Sequence, residues 1–121
     1  MITFAIPTYN RAKHLKKCLD SICSQISGRK GFYITVCDNK STDNTFEILT
    51  DYSKRFSFLS FKTLPRHVAI QDCQGSWAGS VEMAQTEWTW TFGDDDFLID
   101  KSLDIVLSAI ERNVELNFIH A

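Results

Sequence analysis

The sequence lacks the features that define several large classes of protein. Its 121 residues hold five glycines and two prolines, too few for a linker or a low-complexity chain. No apolar run approaches the ~20 residues of a membrane-spanning helix, and no basic and apolar leader opens the chain. The net charge of −2 argues against binding to nucleic acid through the overall charge of the protein. We therefore expect a cytoplasmic protein without a nucleic-acid partner.

Familiar metal and phosphate motifs are also absent. The cysteines Cys18, Cys23, Cys37 and Cys73 include no C-x-x-C pair, and no histidine cluster completes a zinc site. We expect them to be reduced and mostly buried thiols. Neither G-x-x-x-x-G-K-[ST] nor G-x-G-x-x-G occurs, which excludes a P-loop and argues against a dinucleotide fingerprint. The phosphates of any bound nucleotide would then be held chiefly through a metal ion.

Short apolar strands alternate with helical patterns along the chain. Asn10 is a plausible N-cap for the first helix, and Asp43 or Asn44 for the second, where Glu47 would complete a capping box with Asn44. Alternation of this kind predicts an α/β fold with a mostly parallel sheet and helices on both faces. Residues 1–121 would form one domain, the N-terminal part of a longer chain. The predicted strands cover residues 2–6, 32–37, 58–63, 88–92 and 116–120.

Polar segments follow three of these strands, at residues 7–11, 38–41 and 93–96. The carboxyl ends of parallel strands share one edge of the sheet, where ligands bind. The last segment holds three successive carboxylates, Asp94, Asp95 and Asp96, which repel one another unless a cation intervenes. Oxygen ligands suit Mg²⁺ or Mn²⁺. A solvated acidic turn that caps the next helix remains an alternative interpretation.

Three motifs resemble one known family in order and spacing. They are FAIPTYNR at residues 4–11, VCDNKSTDNT at residues 36–45 and WTFGDDDFL at residues 90–98. Together they resemble family 2 glycosyltransferases of GT-A fold. The FGDDD form, with DN after the second strand, is similar to transferases of bacterial lipopolysaccharide and capsule assembly. The resemblance implies a Rossmann-like nucleotide-binding half that covers essentially the whole chain.

The resemblance also implies roles for individual residues. Asp38 would bind the base, Asp95 would contact the ribose or donor sugar, and Asp96 would hold a Mn²⁺ or Mg²⁺ ion. Asp94 would be a second metal ligand or a nucleotide contact, and Arg66 would lie near the base or phosphates. The remaining residues implied in nucleotide binding are Pro7, Thr8, Tyr9, Asn10, Arg11 and Asn39.

The reaction implied is metal-dependent transfer of a sugar, with inversion, from a nucleotide-sugar to a saccharide or lipid-linked acceptor. The general base would lie beyond Ala121, so these residues would bind donor and metal without turnover. We expect peripheral association with the inner face of the membrane through missing regions, and a homodimer formed by exposed apolar surface. Two alternatives stay open: a non-catalytic nucleotide-sugar-binding module, and a receiver-type signalling domain, which needs acidic residues after its first strand.

Overall fold

A computed structural model describes residues 1–69, 71, 75–113 and 115 of the chain. Strands and helices alternate as the sequence predicts, and the predicted strand at residues 116–120 lies outside the described residues. Cys18, Cys23 and Cys37 are buried free thiols, whereas Cys73 also lies outside that part. The elements are β1 (Ile2–Thr8), α1 (Ala12–Ile26), β2 (Phe32–Asp38), α2 (Thr45–Arg55), β3 (Leu59–Thr63), α3 (Ser76–Glu82), β4 (Trp88–Thr91) and α4 (Ser102–Arg112).

The four strands within the described residues form one parallel sheet in the order β3-β2-β1-β4. Ile2 pairs with Phe32 on one side and with Trp88 on the other, and the register continues along the strands. The chain builds outwards from β1 to β3 and then crosses back to place β4 on the opposite side of β1. This reversal puts a topological switch point between β1 and β4, where α/β sheets bind their ligands.

The two faces of the sheet differ in side-chain size because large and small residues alternate along the central strands. Phe4 and its even-numbered neighbours pack against α1 and α2 in the main hydrophobic cluster. Trp90 stacks on Phe4 with ring centroids 5.4 Å apart. The opposite face carries Thr3, Thr35 and Cys37 and is covered by α3. Helices therefore lie on both faces, as predicted.

The small face lets α3 approach the sheet closely. A Cβ atom built on Gly79 would lie 2.6 Å from Cys37 Sγ, closer than real side chains come. Thr35 Oγ1 donates a hydrogen bond of 2.9 Å to the carbonyl of Ser80. Residue 79 is thus restricted to glycine by packing rather than by a backbone angle.

The first strand is longer than the predicted range of residues 2–6. It includes Pro7 and ends at Thr8. Ala5 accepts a bond from Phe92 N on the β4 side, and Thr8 accepts one from Asn39 N on the β2 side. Alternate residues of a strand bond to opposite neighbours, so position 7 faces β4, which ends at Thr91. The missing N–H of proline is tolerated there because no paired strand residue needs it.

The predicted cap of α1 is wrong, whereas Asn44 occupies the N-cap position of α2, one of the two predicted positions, without a side-chain cap bond. Arg11, not Asn10, occupies the N-cap of α1, and Asn10 adopts a positive φ of 49°. Asn10 Oδ1 instead accepts a bond of 2.7 Å from Thr42 N. At α2 the first amide, Thr45 N, donates 3.0 Å to Asp43 Oδ1; this contact takes the place of the capping box expected from Asn44. A polar side chain before a helix can cap it or tie a neighbouring loop, and here Asn10 ties a loop.

Candidate active site

The ends of β1, β2 and β4 meet at one edge of the sheet. Asn39 N donates to Thr8 O at 2.9 Å, and Asn10 N donates to Ser41 Oγ at 2.9 Å. Thr8 Oγ1 donates to Asp94 Oδ2 at 2.9 Å across 86 positions of sequence. These bonds join the three polar segments that follow the strands, so the predicted convergence is confirmed.

A cleft of about 670 Å³ opens at this edge, above the switch point between β1 and β4. Its volume falls in the range of small-molecule sites. It combines residues that the sequence motifs indicated with residues from the segment before α3. The lining residues are Pro7, Thr8, Tyr9, Arg11, Asn39, His67, Val68, Ala69, Gln71, Gly75, Ser76, Trp77, Gly93, Asp94 and Asp95.

Asp94 is the buried member of the acidic turn, with 8% of its surface exposed. Burial raises the pKa of its carboxyl group, and Asp95 adds to that shift, whereas the Thr8 hydroxyl and the Arg11 guanidinium lower it. Arg11 Nη1 lies 2.8 Å from Asp95 Oδ2 and 3.6 Å from Asp94 Oδ1. The guanidinium group of Arg11 therefore offsets part of the negative charge of both Asp94 and Asp95.

Gly93 allows the carboxylates to fold back over the turn. A Cβ atom at residue 93 would lie 2.7 Å from Asp96 Oδ2 and 3.1 Å from Asp95 Oδ1. Asp96 N also donates to Gly93 O at 3.2 Å. Below the turn, the Cys18 thiol donates to the same carbonyl at 3.5 Å, and its pKa is raised by burial and by the nearby carboxylates. A side chain at residue 93 would therefore displace the carboxylates of Asp95 and Asp96.

The donor set of this turn fits a hard divalent cation only in part. Within the described residues, no group of three His, Cys, Asp or Glu side chains converges as a complete metal cage. Mg²⁺ is commonly held by one or two carboxylates together with phosphates and water. The exposed carboxylate of Asp96 and the carboxylate of Asp94, two positions earlier in the same turn, match that incomplete type of site. The chemistry of the residues therefore fits Mg²⁺ or Mn²⁺ bound jointly with a phosphate.

Four of the residues singled out from sequence do not line the cleft among its described residues: Asn10, Asp38, Arg66 and Asp96. Asp38 is 1% exposed. Its carboxylate accepts bonds from Ser41 Oγ at 2.5 Å and Thr63 Oγ1 at 3.3 Å, which anchors the loop after β2. Arg66 is exposed.

One wall of the cleft was missed by the sequence analysis. It comprises His67, Val68 and Ala69, together with residues at the start of α3 such as Trp77. The His67 ring packs on Tyr9, with centroids 4.4 Å apart, and Trp77 is 47% exposed. The available signals were His67 in an irregular segment and Trp77 at the start of α3, but their spacing has no period that would place them in a site.

The fold and cleft define an α/β protein of Rossmann-like architecture with an open cleft at the carboxyl ends of its strands. A family model, Glycosyl transferase family 2, matches residues 3–119. The chain therefore belongs to glycosyltransferase family 2, as the motifs predicted. This membership is incompatible with the receiver-type alternative, and the first strand indeed ends in Pro7 and Thr8 rather than in acidic residues.

Curated relatives of the chain include two named bacterial transferases. Abequosyltransferase RfbV of Salmonella typhimurium is 30% identical over 116 residues, which cover 96% of this chain and 34% of that protein. A poly(ribitol-phosphate) beta-glucosyltransferase of Bacillus spizizenii is 26% identical over 102 residues, covering 84% of this chain and 16% of that protein. The chain thus spans about a third or less of the length of these two relatives.

Solved structures share the fold. TarS of S. aureus, residues 1–349, in complex with UDP-GlcNAc superposes with a TM-score of 0.81 at 22% identity over 93% of this chain and 32% of that one. The mannosyltransferase PcManGT of Pyrobaculum calidifontis, in complex with GDP-Man and Mn²⁺, gives 0.73 at 20% identity over 90% of this chain and 32% of that one. In the part of the chain that the structure describes, no helix has the length and apolar character to cross a membrane.

Proposed function

We propose that this chain binds the nucleotide-sugar donor and the metal ion of an inverting glycosyltransferase. The observation that carries the proposal is the buried Thr8–Asp94 bond of 2.9 Å, since it ties the acidic turn to the end of β1 on the floor of an open cleft. An oxygen-rich turn at a switch point is where an α/β sheet can hold a diphosphate through a cation. Family membership and the nucleotide-sugar complexes of the two solved relatives support the same assignment.

Residues on the β1 and β2 side of the cleft would receive the nucleoside. Pro7, Thr8 and Tyr9 line the cleft next to Asn39, which suits a flat base and its ribose. Asp38 would act from beneath this wall, since its carboxylate is already engaged by Ser41 and Thr63.

Residues on the β4 side would receive the charged part of the donor. Asp96, with Asp94, would hold Mn²⁺ or Mg²⁺, and Asp95 would face the ribose or the sugar. When bound, such an ion neutralises the negative charge of a departing diphosphate. Arg11 lies 2.8 Å from Asp95, so its guanidinium is within reach of a phosphate held at the same turn. Asn10 and Arg66 would assist from the rim.

The remaining parts of the reaction lie outside these residues in this proposal. The acceptor, a saccharide or a lipid-linked saccharide of a bacterial surface polymer, and the general base that deprotonates its hydroxyl would be supplied beyond Ala121. The 121 residues would then bind nucleotide and metal without turnover. Association with the inner face of the membrane and a homodimer also belong to the proposal for the longer protein.

Titration calorimetry with UDP, GDP, CDP and dTDP in the presence of Mn²⁺ tests the donor site. We expect at least one nucleotide to bind, and Asp96→Ala to weaken its binding about tenfold or more in Mn²⁺ but little in EDTA. Asp100→Ala, which removes another exposed carboxylate outside the cleft, is the matched control. A folded sample that binds none of the four, or full Mn²⁺-dependent binding by Asp96→Ala, would contradict the site. An assay of sugar transfer by a longer chain would separate an enzyme from a non-catalytic module.

A further inference from the structure

The side chain of Asn39 forms a two-bond clamp on the segment that follows β3. Its Nδ2 donates to Val68 O at 2.8 Å, and its Oδ1 accepts from Val68 N at 2.9 Å. A carboxamide has one donor group and one acceptor, so it can bond to the C=O and the N–H of one residue at the same time, as a paired residue does in an antiparallel sheet. Asn39 itself is 7% exposed, and so these bonds are shielded from water.

The backbone of Asn39 is engaged as well. Its N–H donates to Thr8 O at 2.9 Å, and its carbonyl lies 3.3 Å from His67 Nδ1. Because a carbonyl only accepts, Nδ1 carries the proton in this contact. Three partners therefore fix residue 39 between the end of β1 and the segment of residues 67–68.

The clamp determines where one wall of the cleft lies. His67 and Val68 line the cleft with Tyr9, and the ring centroids of Tyr9 and His67 lie 4.4 Å apart. Neither residue is buried, and Tyr9 is 40% exposed, so burial alone does not fix the position of the rings. Among the described residues, the hydrogen bonds that join His67 and Val68 to the end of β2 run to Asn39.

We infer that Asn39 is a positioning residue that sets the base selectivity of the cleft by holding the Tyr9–His67 wall, rather than a direct ligand of the nucleotide. The inference rests on the proposed nucleotide site. The clamp and the two backbone contacts engage every polar group of Asn39 and leave one amide hydrogen as its remaining donor. Displacement of the Tyr9–His67 wall would alter the fit of the edge of the base. The acidic turn, and with it the proposed binding of phosphate, would stay in place.

Asn39→Asp is the informative substitution because it keeps the acceptor for Val68 N and turns the other bond into repulsion between two oxygens. Asn113→Asp is the matched control, since Asn113 Nδ2 also donates one bond of 2.9 Å to a carbonyl, that of Ala109, outside the cleft. In protein with ¹³C-labelled histidine, we expect the His67 ring resonance to move in Asn39→Asp and to stay in place in Asn113→Asp. An unmoved resonance in folded Asn39→Asp overturns the inference without reference to any nucleotide.

Calorimetry with UDP, GDP, CDP and dTDP supplies the second measurement. We expect Asn39→Asp to weaken the preferred nucleotide about tenfold, the equivalent of one hydrogen bond, and to reduce its advantage over the other three. An equal loss for all four indicates a merely structural role and overturns the inference. If Asn39→Asp does not fold, His67→Ala, which retains the clamp, decides: reduced selectivity supports the inference, and unchanged selectivity overturns it. If the wild type binds no nucleotide, the proposed function fails and the inference with it, even where the His67 resonance has moved.

Discussion

Replacing Thr8 with valine tests the bond that joins the acidic turn to β1. The substitution removes a hydroxyl that lies 2.9 Å from Asp94 Oδ2 and keeps nearly the same shape. A hydrogen bond to a charged group contributes roughly 1.5–3 kcal/mol, and its loss leaves a buried carboxylate without that donor. Arg11 offers little compensation because it lies 3.6 Å from Asp94 with half of its side chain exposed. We expect a loss of roughly 2 kcal/mol in the free energy of unfolding at pH 7.

The loss should depend on pH in one direction. Burial raises the pKa of Asp94 in the folded protein above its ordinary value of 3.8, so protonation of this group favours the folded state and its contribution to stability grows as pH falls. Thr8→Val removes an interaction that lowers the same pKa and so raises it further. The destabilisation is therefore largest above the raised pKa and shrinks on acidification through it.

Urea denaturation in EDTA, repeated from pH 7 down to about pH 4.5, measures this dependence. Thr3→Val is the control: Thr3 also lies buried in β1, but its Oγ1 contacts neutral partners, Thr86 Oγ1 at 2.7 Å and Gln85 N, which donates to it at 3.2 Å. We expect a loss of about 1 kcal/mol that does not vary with pH for that variant. A Thr8→Val penalty below about 0.5 kcal/mol, or one equal at both ends of the pH range, would refute the reasoning.

Three further substitutions test packing around the site and core. Gly93→Ala should change stability by less than about 1 kcal/mol, because its Cβ meets the ends of flexible carboxylates, yet weaken Mn²⁺-dependent nucleotide binding in calorimetry. Gly79→Ala should cost about 1–3 kcal/mol in urea denaturation, since its Cβ would lie 2.6 Å from Cys37 Sγ; an unchanged midpoint would contradict the close packing of α3. Leu103→Ala should cost about 2–5 kcal/mol, whereas Ile105→Ala, 69% exposed, should stay within about 0.5 kcal/mol; equal losses in thermal unfolding would be contrary to the burial of Leu103.

The alternation of elements and the convergence of the strand ends were predictable because both follow from residue periodicity. Residues alternate between the two faces within each strand, so the sequence places Phe4 of β1 and Trp90 of β4 each on one face. The two residues are paired, and their rings are in contact. Thr8 ends β1 and Asp94 lies shortly after β4, and parallel pairing of these strands is sufficient to bring the two residues together.

The missed features depend on long-range contacts that leave no local pattern. Asn10 has the composition of a helix cap, yet its carboxamide binds Thr42 N, 32 positions away. The wall at His67 is held by Asn39, 28 positions earlier in the chain. A polar side chain near a helix or strand end has several partners within reach, and only the folded backbone selects among them.

Pro7 has a consequence for the shape of the crevice. On the side of β1 that faces β4, the next ladder bond beyond Ala5 would come from an amide at residue 7, and proline has no such hydrogen to give. The β4 strand ends at Thr91, and the turn that carries Asp94 begins directly after Phe92. Any other residue at position 7 would restore a backbone donor at the point where the ladder between β1 and β4 stops. The imino acid thus leaves this ladder unextended at the edge of the sheet where the cleft opens.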